Sequence, residues 1–388
     1  MRRGPRNRML AVIPALCARR SRLKVRSNRR QNRDEMPGFS IKNLRIIICE
    51  PKKFAFIAMI AVALACSSGC KRVAPVSEQE AATARCMQDI SAIPQMAALL
   101  KSRNRENEQA EARTLEGMEI ALTINGMIRS HGDPDEGVDS WCSKENSPEN
   151  FRKMLDALKQ NDMPPTVAFL IGRLLDPVQA EAWLESGNLV GNMTYKPTKA
   201  KKKAAQKFIE DVSRSDELLS PLWEKFSSEK KFFRYPGTRS SREADVREQV
   251  QSYLKEKGYV EVPITINAQD GHFTDIYCAA MSRGDQPCLN LIKTYYRTLL
   301  LELTHKSRTV ANRIAGREVK HILTIKATQF TCDNLADILA WYKSLGVKFI
   351  TIDEALSDPF YTSVDGEGRP AYRSVLRRMK RGRFIEKQ

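Results

Sequence analysis

The stretch MEIALTINGM, residues 118–127, reads as a buried β-strand that ends in a turn. Its apolar residues are Met118, Ile120, Ala121, Leu122 and Ile124. The run stops at Asn125-Gly126, a pair typical of turns. In proteins built from repeated strand–helix units, the carboxyl ends of the strands usually carry the functional residues. Here that end offers an amide and a glycine and no charge, so the question is what chemistry it can support.

Strand-like and helix-like segments alternate after this stretch. Further strand-like runs lie at 165–171, 188–192, 231–235, 259–266, 321–326 and 347–352. Helical segments lie at 149–160, 200–222, 242–257, 289–314 and 333–345, and a polar helical pattern covers 80–115. This alternation predicts a parallel sheet, and seven units favour a closed or nearly closed barrel over an open doubly wound sheet. No Gly-rich phosphate loop follows any strand, which argues against nucleotide binding.

The formal charge of +18 is concentrated at the two ends of the chain. Residues 1–53 hold 16 Lys and Arg against 3 Asp and Glu, and residues 364–388 hold 8 against 3. The body between them is neutral, so the charge does not indicate a nucleic-acid groove. The basic segment 371–384 is predicted to be a solvated charge run, with binding to an anionic surface as the alternative.

The N-terminal region resembles an export signal. Two lysines precede twelve uncharged residues, FAFIAMIAVALA at 54–65, and CSSGC follows. Cys66 is the predicted lipidation site of a bacterial lipoprotein, and Cys70 is the weaker candidate. The alternatives are a plain cleaved signal and a single membrane anchor. Met36 is a more ordinary start, which makes residues 1–35 a start-site artefact in this interpretation.

The nine cysteines show no pair at zinc-ligand spacing. After export, Cys278 and Cys288 can pair across the short loop between them, and unpaired buried thiols are the equal alternative.

The strand ends, taken together, resemble the motifs of polysaccharide deacetylases, carbohydrate esterase family four. IALTINGM is similar to the strand that ordinarily reads Thr-Phe-Asp-Asp-Gly, and GNMTYKPT at 191–198 to Gly-Asn-His-Thr-Tyr-Ser-His-Pro. FFRYPGTRS at 232–240 resembles the Arg-x-Pro loop, and GYVEVPITINAQDGHF at 258–273 the strand that ends in Asp-Trp. The segment 318–361 resembles the closing strand that ends in Leu-x-His. The motifs follow the family's order over about 117–361.

The resemblance implies an α/β fold, a distorted (β/α)7 TIM-like barrel with its site at the carboxyl ends of the strands. It also implies a divalent metal, usually zinc, held by one Asp and two His. A second Asp would serve as the base for the attacking water, and a late His would protonate the leaving amine. The chain is therefore divided into 1–35, the signal peptide 36–65, a linker and N-terminal helix 66–116, the deacetylase-like barrel 117–361 and a basic tail 362–388.

The family's catalytic positions are substituted in this chain. The base falls on Asn125, which cannot accept a proton, and the metal-binding Asp falls on Gly126. The first metal His falls on Met193, a poor zinc ligand. The second falls beside Lys196-Pro197, where the motif is one residue short, and the late His falls on Lys326. No catalytic residue is intact, and no metal or other cofactor is predicted.

Three family positions are retained, at Thr123, Arg234 and Asp270, with Gly271 in place of the Trp. In the family, the residue at Arg234 orients the base. The substitutions remove two carboxylates and add Lys326. This lysine either balances the charge of the pocket in place of the metal or extends out of the barrel mouth.

A rebuilt metal site would have to use other residues. His131 and His272 follow strands and could reach the mouth beside Asp270, but no spacing requires it. His321 begins a strand at the opposite end, and His305 falls on a helix.

The sequence therefore predicts an exported, membrane-anchored lipoprotein of the bacterial cell envelope or periplasm, with a degenerate deacetylase domain. Its predicted role is to bind a glycan or peptidoglycan strand, or an envelope protein, with no nucleic-acid partner. Tyr195 and Tyr235 could stack on sugar rings or pack the barrel rim. The rival hypotheses are an active carbohydrate N-deacetylase with a rebuilt metal site and a purely structural lipoprotein.

Overall fold

The computed structural model describes residues 78–94, 96–97, 115–126, 148–196, 205–238, 243–366 and 370–380. They belong to one compact unit, Pro75–Gln388. The start at 1–35, the signal at 36–65 and the cysteines Cys66 and Cys70 lie outside the described residues, so export and lipidation stay predictions.

The described residues form eight strands in one parallel sheet. The strands are Glu119–Asn125 (β1), Val167–Leu170 (β2), Leu189–Asn192 (β3), Lys231–Phe233 (β4), Tyr259–Glu261 (β5), Ile266–Asn267 (β6), His321–Lys326 (β7) and Lys348–Ile350 (β8). Their order is β5-β4-β3-β2-β1-β7-β6, and β8 pairs with the first half of β1. The sheet is curled and surrounded by helices, which confirms the predicted distorted (β/α)7 barrel.

The predicted strand 259–266 is two strands, β5 and β6, which do not pair with each other. The break contains Pro263, which has no N–H to donate to a neighbouring strand. On either side of the break, β5 pairs with β4 and β6 pairs with β7. Strands β5 and β6 are therefore joined by the chain between them and not by hydrogen bonds to each other.

Strand β1 is an interior strand of the sheet and is buried on both of its faces. Residues 120–124 are all buried, as is usual for a parallel strand covered on both sides. Along its length β1 pairs with β7, from Ile120 opposite His321 to Asn125 opposite Lys326. This register places the ends of β1 and β7 side by side.

Ten α-helices of the described chain flank the sheet. They are Glu78–Ala92 (α1), Pro148–Gln160 (α2), Pro177–Glu185 (α3), Ala205–Lys225 (α4), Ala244–Glu256 (α5), Thr274–Ser282 (α6), Gln286–Ala315 (α7), Gln329–Ser344 (α8), Ile352–Leu356 (α9) and Ala371–Lys380 (α10). The long predicted helices match α2, α4, α5, α7 and α8 to within a few residues. The short helices α3, α6 and α9 were not predicted, because so few residues give little periodicity.

The predicted disulfide between Cys278 and Cys288 is wrong. Cys288 is bonded to Cys86 of α1, with the two Cα atoms 5.7 Å apart. Cys278 is disulfide-bonded as well, and Cys332 is a buried cysteine. Helix α1 packs on α6 and α7, which brings together cysteines that are 202 residues apart in sequence. No spacing in the sequence could indicate that pair.

The basic C-terminal segment is partly folded onto the barrel. Helix α10 packs against α7 and buries Ala371 and Val375 completely. Its Arg373 lies 3.9 Å from the Glu261 carboxylate. The segment predicted as a solvated charge run thus has an apolar face in contact with the core. Within the described ranges, no helix combines the length and the apolar character that a membrane crossing needs.

Candidate functional site

The retained and substituted family positions lie at the carboxyl ends of the strands. Asn125 ends β1 and is the register partner of Lys326, which ends β7. Gly126 follows β1, and Met193, Arg234 and Asp270 follow β3, β4 and β6. The parallel sheet therefore gathers the predicted site residues at one end of the barrel, here called the mouth.

The guanidinium of Arg234 lies across the barrel interior. Its Nε donates to a backbone carbonyl, and its Nη1 donates to three side-chain oxygens at the ends of β1 and β7. The acceptors are Val262 O at 3.1 Å, Thr123 Oγ1 at 2.8 Å, Asn125 Oδ1 at 2.9 Å and Thr324 Oγ1 at 3.2 Å. Beneath it, the ring centroid of Phe169 lies 4.0 Å from Cζ, a distance that allows a cation–π contact.

Among the residues that the structure describes, none supplies a counter-ion to Arg234. The residue is 2% exposed, and its Nη2 has no hydrogen-bond partner within the described chain. All four oxygens that accept from it are formally neutral. Burial lowers the pKa of Arg234 well below its usual range, and no carboxylate opposes that shift. A guanidinium nevertheless stays protonated in proteins, so the barrel holds a buried cation whose desolvation no anion offsets.

Asp270 keeps a set of hydrogen bonds close to Lys326. Its Oδ2 accepts from the Lys326 N–H at 2.6 Å and from Thr331 Oγ1 at 2.8 Å, and its Oδ1 accepts from the Gly271 N–H at 3.1 Å. Asp270 is 2% exposed, and burial raises its pKa against the opposing effect of these hydrogen bonds. Its carboxylate is therefore used to hold the ends of β6 and β7.

The Lys326 side chain is exposed and lies over Gly271. A Cβ on Gly271 would stand 3.2 Å from Lys326 Cδ and 3.3 Å from Nζ. The lysine thus covers the position where the family has an aromatic ring, and a glycine there leaves room for it. In the part of the chain that the structure describes, the Lys326 ammonium forms no ion pair.

The residues at the family's metal positions do not fit a zinc ion. Gly126 has no side chain and adopts a φ of 79°, with its N–H donating to Phe169 O at 3.0 Å. Met193 is buried in the apolar core on the inner side of the sheet. Zinc sites in proteins use thiolate, imidazole and carboxylate groups, and the described residues contain no group of three such side chains.

The rebuilt site has only part of its residues in the described chain. Asp270 is committed to the hydrogen bonds given above, and His272 is exposed in the turn Asp270–His272. His131 lies outside the described residues. His321 is buried at the other end of β7, where its Nδ1 lies 3.0 Å from Thr265 Oγ1, and His305 is half-buried on α7.

The two tyrosines considered for sugar stacking have different surroundings. Tyr235 is buried, stacks on Phe208 at 5.8 Å between ring centroids and donates its hydroxyl to Glu261. Its ring therefore belongs to the core. Tyr195 is half-buried, with the Arg214 guanidinium 3.8 Å from its ring centroid. One face of Tyr195 is thus already covered.

Gly191→Ala tests how tightly the floor under Arg234 is packed. A Cβ at this position of β3 would lie 2.6 Å from Phe169 Cε1 and 3.1 Å from Phe232 O. Because the Phe169 ring is buried beneath the guanidinium, we expect the free energy of unfolding to fall by about 1 to 2 kcal/mol. Urea unfolding measures the change. Gly366→Ala is the control, since nothing lies within 4 Å of a Cβ there; equal effects at both positions would contradict the packing argument.

The comparisons with known proteins agree with the predicted family. Residues 135–260 match the family model for polysaccharide deacetylase. No curated protein matches the chain. Among solved structures, a CE4 family pseudoenzyme from Bacillus anthracis is 16% identical with a TM-score of 0.39, covering 63% of this chain and 67% of that chain. A family 4 acetyl xylan esterase from Clostridium thermocellum, in complex with a cobalt ion, is 15% identical with a TM-score of 0.39. The match covers 62% of this chain and 90% of that chain.

The family model begins after β1 and ends within β5, so it covers the second and third motifs and the start of the fourth. The strands that carry the first and last motifs, β1 and β7, pair with each other in the same sheet. Over residues 135–260 the chain is similar to polysaccharide deacetylases.

Proposed function

We propose that this protein is an exported, lipid-anchored envelope protein whose deacetylase domain has lost the metal triad and the catalytic base. In this role the strand ends bind a glycan or peptidoglycan strand, or an envelope protein, without cleaving it. The observation that supports the proposal best is the hydrogen bond from Arg234 Nη1 to Asn125 Oδ1, at 2.9 Å.

In this contact Arg234 holds the side chain at position 125 as the family's arginine holds the catalytic base, but Asn125 cannot act as a base. An Asn oxygen accepts a hydrogen bond and cannot take up a proton at neutral pH. The glycine and the buried thioether at the metal positions supply no ligand that zinc prefers. Water activation by either route therefore has no group to perform it among the described site residues.

We expect the purified full chain to hold substoichiometric zinc after dialysis against the metal, and to release no acetate from an N-acetylated chitooligosaccharide. We also expect it to be retained on insoluble peptidoglycan or chitin. Elemental analysis, an acetate assay and a pull-down measure the three properties, and an intact deacetylase of the same family is the positive control.

Stoichiometric zinc together with acetate release that a chelator abolishes would contradict the proposal. That result would support the rival function, an N-deacetylase with a rebuilt metal site. Absence of both metal and glycan retention would instead leave a partner protein as the ligand.

A further inference from the structure

The mouth of the barrel has an excess of positive charge and of hydrogen-bond donors. Arg234 and Lys326 contribute two cations, and Asp270 is the carboxylate held beside them. The Asp270 oxygens already accept three hydrogen bonds. Of the three charges carried by Arg234, Lys326 and Asp270, one positive charge therefore remains in excess even with Asp270 ionised.

Asn125 provides a hydrogen-bond donor at the surface of the mouth. Its Oδ1 is fixed by the hydrogen bond from Arg234 Nη1, which leaves its Nδ2 as the group available to a ligand. Asn125 is part-exposed, while Arg234 behind it is 2% exposed. The Asn125 amide thus joins the buried guanidinium to the opening of the barrel.

Arg234 Nη2 is buried and has no hydrogen-bond partner among the described residues. Buried polar side-chain atoms usually have a partner, and one that lacks it calls for an explanation. The desolvation of a buried ion is offset when an anion lies close to it. An anion bound at the Asn125 end of the guanidinium would supply that charge.

The exposed partner in this arrangement is Lys326. It ends β7 as the register partner of Asn125, and its side chain lies over Gly271, which follows β6. An amide N–H with a buried guanidinium behind it, and an ammonium at the end of the neighbouring strand, make this end of the barrel suited to a carboxylate.

We propose that the mouth binds the carboxylate of an acidic sugar, which accepts a hydrogen bond from Asn125 Nδ2 and is stabilised by the charges of Arg234 and Lys326. This inference rests on the proposed non-catalytic function and narrows its ligand to an anionic glycan. The ligand's carboxylate supplies the negative charge that an aspartate at position 125 would carry and that Asn125 does not.

The test is calorimetry of the full chain with three probes. They are a tetrasaccharide of alternating N-acetylglucosamine and glucuronate, neutral N-acetylchitotetraose and free glucuronate. We expect the acidic tetrasaccharide to bind about tenfold or more tightly than the neutral one, because charge-assisted hydrogen bonds replace neutral ones. Added salt should weaken the preference.

Two variants test the location of the site, and a third is their control. Asn125→Asp should remove the preference for the acidic probe, because the new carboxylate takes the place proposed for the ligand's. Lys326→Gln should weaken acidic binding by about threefold, as expected for an exposed cation. Asn290→Asp, the same exchange on the exposed surface of α7, is the matched control and should leave the affinity unchanged.

Each outcome separates this inference from the function on which it rests. Equal affinity for acidic and neutral tetrasaccharides, unaffected by Asn125→Asp, would overturn the carboxylate site and leave glycan binding intact. Binding of free glucuronate as tight as that of the tetrasaccharide, and lost in Asn125→Asp, would support the carboxylate site and count against a glycan as its source. Binding of none of the three probes would overturn the carboxylate site and leave a partner protein as the ligand of the proposed function.

Discussion

Asn125→Asp should raise the free energy of unfolding by about 2 to 3 kcal/mol at neutral pH. The exchange is isosteric and places a carboxylate oxygen where Asn125 Oδ1 now accepts from Arg234 Nη1 at 2.9 Å. A buried cation that has had only neutral acceptors then gains a counter-ion. Few surface substitutions stabilise a protein by this much.

The pH dependence of this gain identifies its source. Beside a guanidinium the introduced carboxyl group has a pKa below its unfolded value, so its contribution is present above about pH 4 and is lost as the pH falls through the lower folded value. Urea unfolding at neutral and acidic pH measures it, with Asn290→Asp as the control for an added surface charge. A variant less stable than the parent at neutral pH would contradict the view that Arg234 lacks a counter-ion.

His321 should make the fold sensitive to acid. It is fully buried at the start of β7, and burial, with a smaller effect of Arg308, lowers its pKa from 6.5 to about 3. Below pH 6.5 the unfolded chain therefore binds a proton that the folded chain does not. Its contribution to stability is complete above pH 6.5 and is lost as the pH falls toward 3, by about 3 kcal/mol at pH 4.

Unfolding in urea across this pH range checks the effect, and His321→Gln is the informative variant. Glutamine can still bond to Thr265 but has no proton to gain, so its stability should depend much less on pH between 6.5 and 4. Parallel pH profiles for the parent and the variant would show that His321 is not the acid-sensitive group.

Much of the architecture could be predicted from the sequence because burial on both faces leaves a plain signal. The buried run at 120–124, apolar except for Thr123, and the turn at Asn125-Gly126 indicate β1, whereas its register with β7 comes from the structure. The split of 259–266 could be anticipated only at Pro263, because the loss of a single N–H decides it.

The candidate site was predictable in its positions and not in its contacts. Family motifs located Asn125, Arg234 and Lys326, but the ring of Phe169 beneath the guanidinium and the acceptor Thr324 come from β2 and β7. Those residues look like ordinary core positions in the sequence. The missing counter-ion of Arg234 is likewise a property of the packed barrel, since no spacing along the chain records which charges remain unpaired.

The bond between Cys86 and Cys288 also decides how the molecule transmits force. Residues 87–287 form a covalent loop that includes every strand from β1 to β6. A pull applied to the chain before Cys86 passes through the sulfur atoms into α7 and does not stretch that loop. If the N-terminus is tethered as proposed, tension between the tether and a ligand bound at the mouth passes through the disulfide and the packed barrel. The chain between Cys86 and Cys288, which carries β1 and Arg234, is then not pulled out lengthwise.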